Sequence, residues 1–148
     1  MLIATCVALV VLLALAGFTI DVGRMYLIRN ELQAYADSAA LSAALELNGT
    51  DSGIAQSCAA ANRLATGPNA MRWDLGTQPI TNVTASFSGD AKSWQEHPKQ
   101  AGDLRFVRIV VAEPAPVIFL RIFQPFSSVN VAAAGIAAKT SASARLIR

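Results

Sequence analysis

Charged side chains are scarce in this 148-residue sequence, and its first twenty residues contain none. The 12 basic and 10 acidic residues leave a net charge of only +2, and the Lys and Arg residues are scattered along the chain. Electrostatic recognition of nucleic acid requires a concentrated basic surface. The sequence therefore predicts no nucleic-acid partner.

Histidine and cysteine are also nearly absent, with one and two copies respectively. His97 lies in a polar stretch between Glu96 and Pro98, and no cysteine or carboxylate cluster stands near it at metal-ligand spacing. The sequence contains no glycine-rich phosphate loop and no nucleophile elbow, and His97 lacks an evident partner for a hydrolase triad. We therefore expect no catalytic residue, no cofactor and no metal. A membrane-tethered enzyme is an alternative that would depend on His97.

The two cysteines lie in very different parts of the chain. Cys6 falls inside an apolar run, whereas Cys58 lies in the more polar remainder. A disulfide between them would have to bring the apolar run to the surface of the folded domain. We expect both to be unpaired and to act as small hydrophobic side chains.

The apolar run from Met1 to Ile20 is long enough to cross a membrane. Twenty helical residues span about 30 Å, the thickness of the hydrocarbon core of a bilayer. A cleaved secretory signal would have a basic flank and a shorter apolar core, and neither is present here. We expect the run to be retained in the working protein, with Met1 as the end left after removal of a basic leader. An internal fragment of a longer chain is the alternative.

The residues after the apolar run predict one continuous helix to about Leu47, ended by Asn48-Gly49. The part of this helix that follows the apolar run, residues 21–47, is here called its lower half. It has two apolar stripes on nearly opposite sides. The first is typical of a core-facing helix and comprises Met25, Ile28, Leu32, Ala36, Ala39, Ala43 and Leu47. The second comprises Leu27, Ala34, Leu41 and Leu45 and should be covered by neighbouring subunits, because an apolar face left in water lowers solubility. The alternative is that alanine is simply a good helix former and that this face is tolerably exposed. The predicted subunit interface combines this second stripe with the apolar run. It comprises Leu2, Ile3, Val7, Val10, Leu13, Leu27, Ala34, Leu41 and Leu45.

Asp21 and Arg24 are the first charged residues of the chain. Three positions apart on a helix, they can form an ion pair. They would either mark the membrane interface or, if surrounded by neighbouring helices, set the axial register between subunits, since buried charges must be compensated.

The rest of the sequence predicts a small mixed domain. A helix capped by Asp51 or Ser52 should run to about Ala65 and pack on a sheet through one apolar stripe. Alternating patterns in "ITNVTASFSG" and "LRFVRIVVAE" predict two strands, with a polar loop between Gly89 and Asp103.

The last third should contain a short apolar helix in "PAPVIFLRIFQPF" and then two extended halves joined by a bend or bulge at Gly135. The fold class is α+β, with an antiparallel sheet of three or four strands. We expect residues 1–47 to form a membrane or filament-core helix and residues 48–148 a globular α+β domain.

Two stretches resemble a known family. The apolar run followed by "DVGRMYLIRNELQAYADSAALSAA" is similar to the amino-terminal region of TadE/TadG-like proteins of the tight-adherence (Tad or Flp) pilus system. "VRIVVAEPAPVIFLRIFQPFSSVNVAAAGIAA" is similar to the segment that follows in TadG-like chains. Thr5 stands where many pilins have a glutamate, and the chain has no room for the von Willebrand-type domain of large TadG-like members.

The resemblance implies a pilin-like, membrane-inserted bacterial protein that is processed by a prepilin peptidase and handled by pilus assembly machinery. We expect a structural subunit, pilin-like or minor, that lies in the inner membrane before assembly. It would then enter a cell-surface filament as a helical homopolymer. The alternative is a single-pass, membrane-anchored periplasmic adaptor of such a machine that never polymerises.

Overall fold

The computed structural model describes residues 1–98, 100, 102–122 and 127–140. It begins with one uninterrupted helix, α1 (Leu2–Glu46). At 1.5 Å per residue, its 45 residues extend about 68 Å. The predicted stop is confirmed, because the chain leaves the helix at Leu47 and Gly49 adopts a positive φ of 77°. The apolar run and the lower half of the helix are therefore one continuous rod.

The second helix, α2 (Asp51–Arg63), packs mainly on α1 and contacts the sheet only at β3 (Val83–Ser88), so the prediction that it packs on the sheet was wrong for most of its buried surface. The Ser57 hydroxyl donates to the Ala43 carbonyl at 2.7 Å, and the Tyr35 hydroxyl donates to the Ala61 carbonyl at 3.2 Å. Small side chains at the contact allow the two backbones to approach closely. The N-cap is Thr50 rather than Asp51 or Ser52, since the Thr50 side chain accepts the Gly53 N–H.

The main sheet is antiparallel, in the order β3-β4-β5, with β3 (Val83–Ser88), β4 (Phe106–Pro116) and β5 (Ser128–Ala138). Its inner face meets the first apolar stripe of α1, which is thereby confirmed as core. The buried core includes Ile28, Leu32, Tyr35, Phe87, Val107, Ile109 and Val111. The lower half of α1 is thus the central element of the folded domain.

Gly135 lies within β5 and pairs with Ile109 in an unbroken register, so the predicted bend or bulge at this residue was wrong. A Cβ atom at Gly135 would collide with the backbone of Ala36 on α1. The glycine is needed for close approach of helix and sheet, not for a change of direction. The second extended half predicted after it, around Ala142 to Leu146, lies outside the described residues.

The polar loop after β3 folds back over the outer face of the sheet. Ser86 and Ser88, on this face of β3, are buried beneath it. The Ser88 hydroxyl donates to Asp90, and the Arg108 guanidinium lies 4.7 Å from the ring centre of Trp94. This loop closes the side of the sheet opposite α1.

Two connections differ from the sequence prediction. The connection between α2 and β3 contains a short hairpin that was not predicted, formed by β1 (Arg72–Trp73) and β2 (Gln78–Pro79). The hairpin turns through Asp74, Leu75 and Gly76, all with positive φ. Between β4 and β5, the predicted apolar helix is a single 3₁₀ turn, Leu120–Ile122, within the described part of that segment.

Candidate functional site

The first half of α1 projects from the domain as a bare apolar helix. Every large hydrophobic side chain from Leu2 to Leu13 is exposed, including the predicted interface residues Leu2, Ile3, Val7, Val10 and Leu13. By length and composition, α1 can cross a membrane, and 6% of its most apolar 18-residue window is buried within the chain. Such a surface is stable only in lipid or against other apolar helices.

The second apolar stripe of α1 is also uncovered. Leu41 and Leu45 are 59% and 66% exposed, and Leu27 and Ala34 also lie on the surface. The domain's own core uses the opposite side of the helix. The predicted interface residues therefore form one accessible surface that runs down α1 from the bare half.

Asp21 lies where the bare helix enters the domain, and its side chain is 2% exposed. Its carboxylate accepts three consecutive backbone N–H groups, from Ile118 at 3.1 Å, Phe119 at 2.9 Å and Leu120 at 2.7 Å. One helical turn nearer the terminus, buried Gly17 faces the Phe119 side chain, which leaves no space there for a Cβ atom. The connection between β4 and β5 is thus fastened to α1 at the end of the apolar run.

Arg24 forms its hydrogen bonds with the turn between β1 and β2, and not with Asp21. Its Nε and Nη2 donate to the two carboxylate oxygens of Asp74 at 2.9 and 2.5 Å. Two turns further along α1, Glu31 accepts the Leu75 N–H at 3.1 Å. Both charges are therefore compensated within this chain. Asp21 is compensated by backbone N–H groups of residues 118–120, and Arg24 is compensated by Asp74. Asp74 could not be found from the sequence, because it is separated from Arg24 by 50 residues.

A shallow cavity of about 310 Å³ lies between α2 and β3, with Cys58, Glu96 and His97 among its lining residues. Burial raises the pKa of the Cys58 thiol, which makes it a poorer nucleophile at neutral pH. Cys6 and Cys58 are both free thiols. Within the described ranges, no three His, Cys, Asp or Glu residues are placed to hold a metal ion.

Buried polar groups elsewhere in the described part of the chain have structural partners. Glu113, on β4, accepts the Thr81 N–H at 2.6 Å and the Asn82 N–H at 2.9 Å, and so holds the entry to β3. No buried side-chain nitrogen or oxygen among the described residues lacks a hydrogen bond. The arrangement suits a rigid domain on an apolar stalk.

Comparison with protein families gives a match to the first helix. Residues 1–46 match the Tad family model, described as Flp pilus-assembly TadE/G-like. This confirms the family resemblance for the first of the two similar stretches, and it links α1 to proteins of Flp pilus assembly. The match ends at the last residue of α1 and does not reach the second stretch. Among curated proteins and among solved structures, no match was found.

Proposed function

From the match of α1 to this pilus-assembly family, we propose that the chain is a structural subunit, pilin-like or minor, of an extracellular bacterial filament. The observation that carries the proposal is the bare apolar half of α1, which continues without a break into the core of the domain. A force on the stalk is thereby transmitted directly to the folded domain. In this proposal the protein has no enzymatic activity.

Assembly would exchange one apolar surrounding for another. In the inner membrane, lipid covers residues 1–20; in the filament, the same residues of neighbouring subunits replace the lipid. Burying an exposed leucine, isoleucine or valine side chain is worth about 1.5–3 kcal/mol relative to water. Each subunit offers many such side chains, including Leu2, Ile3, Val7, Val10 and Leu13.

The second stripe would add contacts between the lower halves of neighbouring helices through Leu27, Ala34, Leu41 and Leu45. Asp21 and Arg24 can approach such an interface at low cost, because their own subunit already compensates both charges. Their role in axial register would be to fix the level at which the apolar stalk ends. Contacts between different surfaces of identical subunits give a helical polymer when the rotation between subunits does not close a ring, and we propose such a helical homopolymer here.

Before assembly, the partners would be the inner membrane, a prepilin peptidase and the pilus assembly machinery. The match to a pilus-assembly family supports these partners. The globular domain would face the periplasm and later the outside of a cell-surface filament.

One observation favours the alternative of a membrane-anchored adaptor that does not polymerise. Thr5 has no charge to offer a neighbouring subunit, and its hydroxyl already donates to the Leu2 carbonyl of its own helix at 2.9 Å. A glutamate at this position, as in many pilins, could pair with the terminal amine of another subunit. An adaptor would need only the membrane anchor and the domain surface.

Shearing of native cells distinguishes the two functions. A filament subunit is released into the supernatant and pellets at high speed without detergent, whereas an adaptor remains with the membranes. We expect Leu41→Asn to reduce the sheared fraction strongly while Leu75→Asn, at an exposed leucine outside the proposed interface, does not. Equal behaviour of both variants, or retention of the wild type in membranes, would contradict the filament proposal.

A further inference from the structure

We infer that residues 117–122, here called the collar, form a second contact with the membrane beside the helix that spans it. The inference deepens the proposed function and rests on its membrane-inserted stage. It applies to the filament subunit before assembly and equally to the adaptor.

The position of the collar along α1 is fixed by the contacts of Asp21 and Gly17. The carboxylate of Asp21 holds three N–H groups of the collar, and the Phe119 side chain packs against Gly17. Four helical residues separate these two positions, which corresponds to about 6 Å along the axis. If residues 1–20 cross the hydrocarbon core, the collar must lie at its edge, with Phe119 on the hydrocarbon side.

The exposed surface of the collar has the composition of an interfacial segment. Ile118 and Ile122 are 51% and 75% exposed, and Arg121 between them is also exposed. Isoleucine side chains can enter the region between headgroups and acyl chains, while an arginine guanidinium reaches the lipid phosphates from the same depth. No acidic residue occurs between 117 and 122 to repel those phosphates.

The exposed apolar surface of the collar lies beside that of α1. Phe18, Ile20 and Val22 are exposed at the same level of the helix. A helix alone would contact the edge of the membrane only over its own circumference, whereas the collar adds apolar contact area on one side of it. This second contact would restrict the tilt and rotation of the domain above the bilayer.

Site-specific fluorescence in vesicles can test the inference. The full chain is reconstituted at low density in phosphatidylcholine–phosphatidylglycerol vesicles, with a nitrobenzoxadiazole probe on one cysteine and spin-labelled lipid as quencher. Cys58→Ala alone leaves Cys6 as the probe for insertion of the helix. In a Cys6→Ala, Cys58→Ala background, Ile118→Cys and Ile122→Cys report on the collar.

Ile136→Cys is the matched control. Ile136 is 59% exposed and lies on β5 eight residues beyond Ser128, about 26 Å along the strand from the collar end. We expect spin-labelled lipid to quench roughly half or more of the emission from the probes at 118 and 122, because the apolar face of an interfacial segment enters about 5–10 Å into the boundary between headgroups and acyl chains. The probe at 136 should lose almost none.

The outcomes separate the inference from the proposed function. Strong quenching at position 6 but none at 118 and 122 would overturn the collar contact and leave membrane insertion intact. Absence of quenching at position 6 as well would overturn both. Circular dichroism identical to that of the unlabelled chain verifies that each labelled variant is folded.

Discussion

The carboxylate of Asp21 accepts the backbone N–H of Leu120 at 2.7 Å, across 99 residues of sequence. This contact joins the point where the apolar stalk ends to the connection between the two longest strands. It fastens the sheet to α1 at the end of the apolar run.

We expect Asp21→Asn to destabilise the domain by about 1–3 kcal/mol, because one neutral amide oxygen replaces two carboxylate oxygens that accept three backbone N–H groups. Chemical denaturation in mild detergent measures the change. Asp37→Asn is the control, since Asp37 is exposed and accepts one hydrogen bond from Gln33. A loss of stability no larger than that of the control would argue against the role assigned to Asp21.

The pair between Arg24 and Asp74 should have a measurable coupling energy. Its side chains are 26% and 8% exposed and meet through two hydrogen bonds, so we expect about 1–2 kcal/mol in a double-mutant cycle with Arg24→Gln and Asp74→Asn. Asparagine tolerates the positive φ of position 74. The exposed pair of Arg63 and Glu46, 3.6 Å apart, should give less than about 0.5 kcal/mol. Equal coupling in the two cycles would contradict this ranking.

Gly135→Ala should destabilise the fold by about 1–3 kcal/mol, because the added methyl group would press on the backbone of Ala36 and separate the sheet from α1. Gly23→Ala is a matched control on α1, where a Cβ atom would meet no neighbour. We expect that variant to be as stable as the wild type or more stable, since alanine favours helix over glycine. Thermal unfolding followed by circular dichroism compares them, and a neutral Gly135→Ala would exclude the close packing described here.

The Cys58 thiol should be alkylated several-fold more slowly in the folded chain than in denaturant at the same pH, because burial raises its pKa and lowers its thiolate fraction. The rate should rise with pH, and its midpoint should lie above that of the unfolded chain. The Cys6→Ala variant isolates this thiol, and mass spectrometry follows the reaction. Identical pH profiles for folded and unfolded chains would show that the thiol is not desolvated.

Much of the architecture could be read from local pattern. The single helix to residue 46 followed from an apolar run that continues into a 3.6-residue repeat and ends at Asn48-Gly49. The three main strands followed from alternation, and the first α1 stripe from its spacing. Periodicity reports which side of an element is buried, and these elements are long enough to show it.

Partners across the chain could not be read in the same way. The sequence suggested that Asp21 and Arg24 pair with each other, because only neighbouring charges are visible locally. The sequence also predicted that α2 packs on the sheet and that the chain bends or bulges at Gly135. Neither an apolar stripe nor a glycine identifies the element that it contacts. Asp74 and the N–H groups of residues 118–120 become partners only when the hairpin and the β4–β5 connection fold onto α1.

The amino-acid sequence by itself determined the apolar stalk, the class of the fold and the uncovered second stripe, because hydrophobic periodicity is a property of consecutive residues. Only the tertiary structure decided how the two boundary charges are satisfied and which connection lies beside the end of the stalk. Those contacts join residues 50 to 99 positions apart, and their energies depend on distances that the folded chain alone creates.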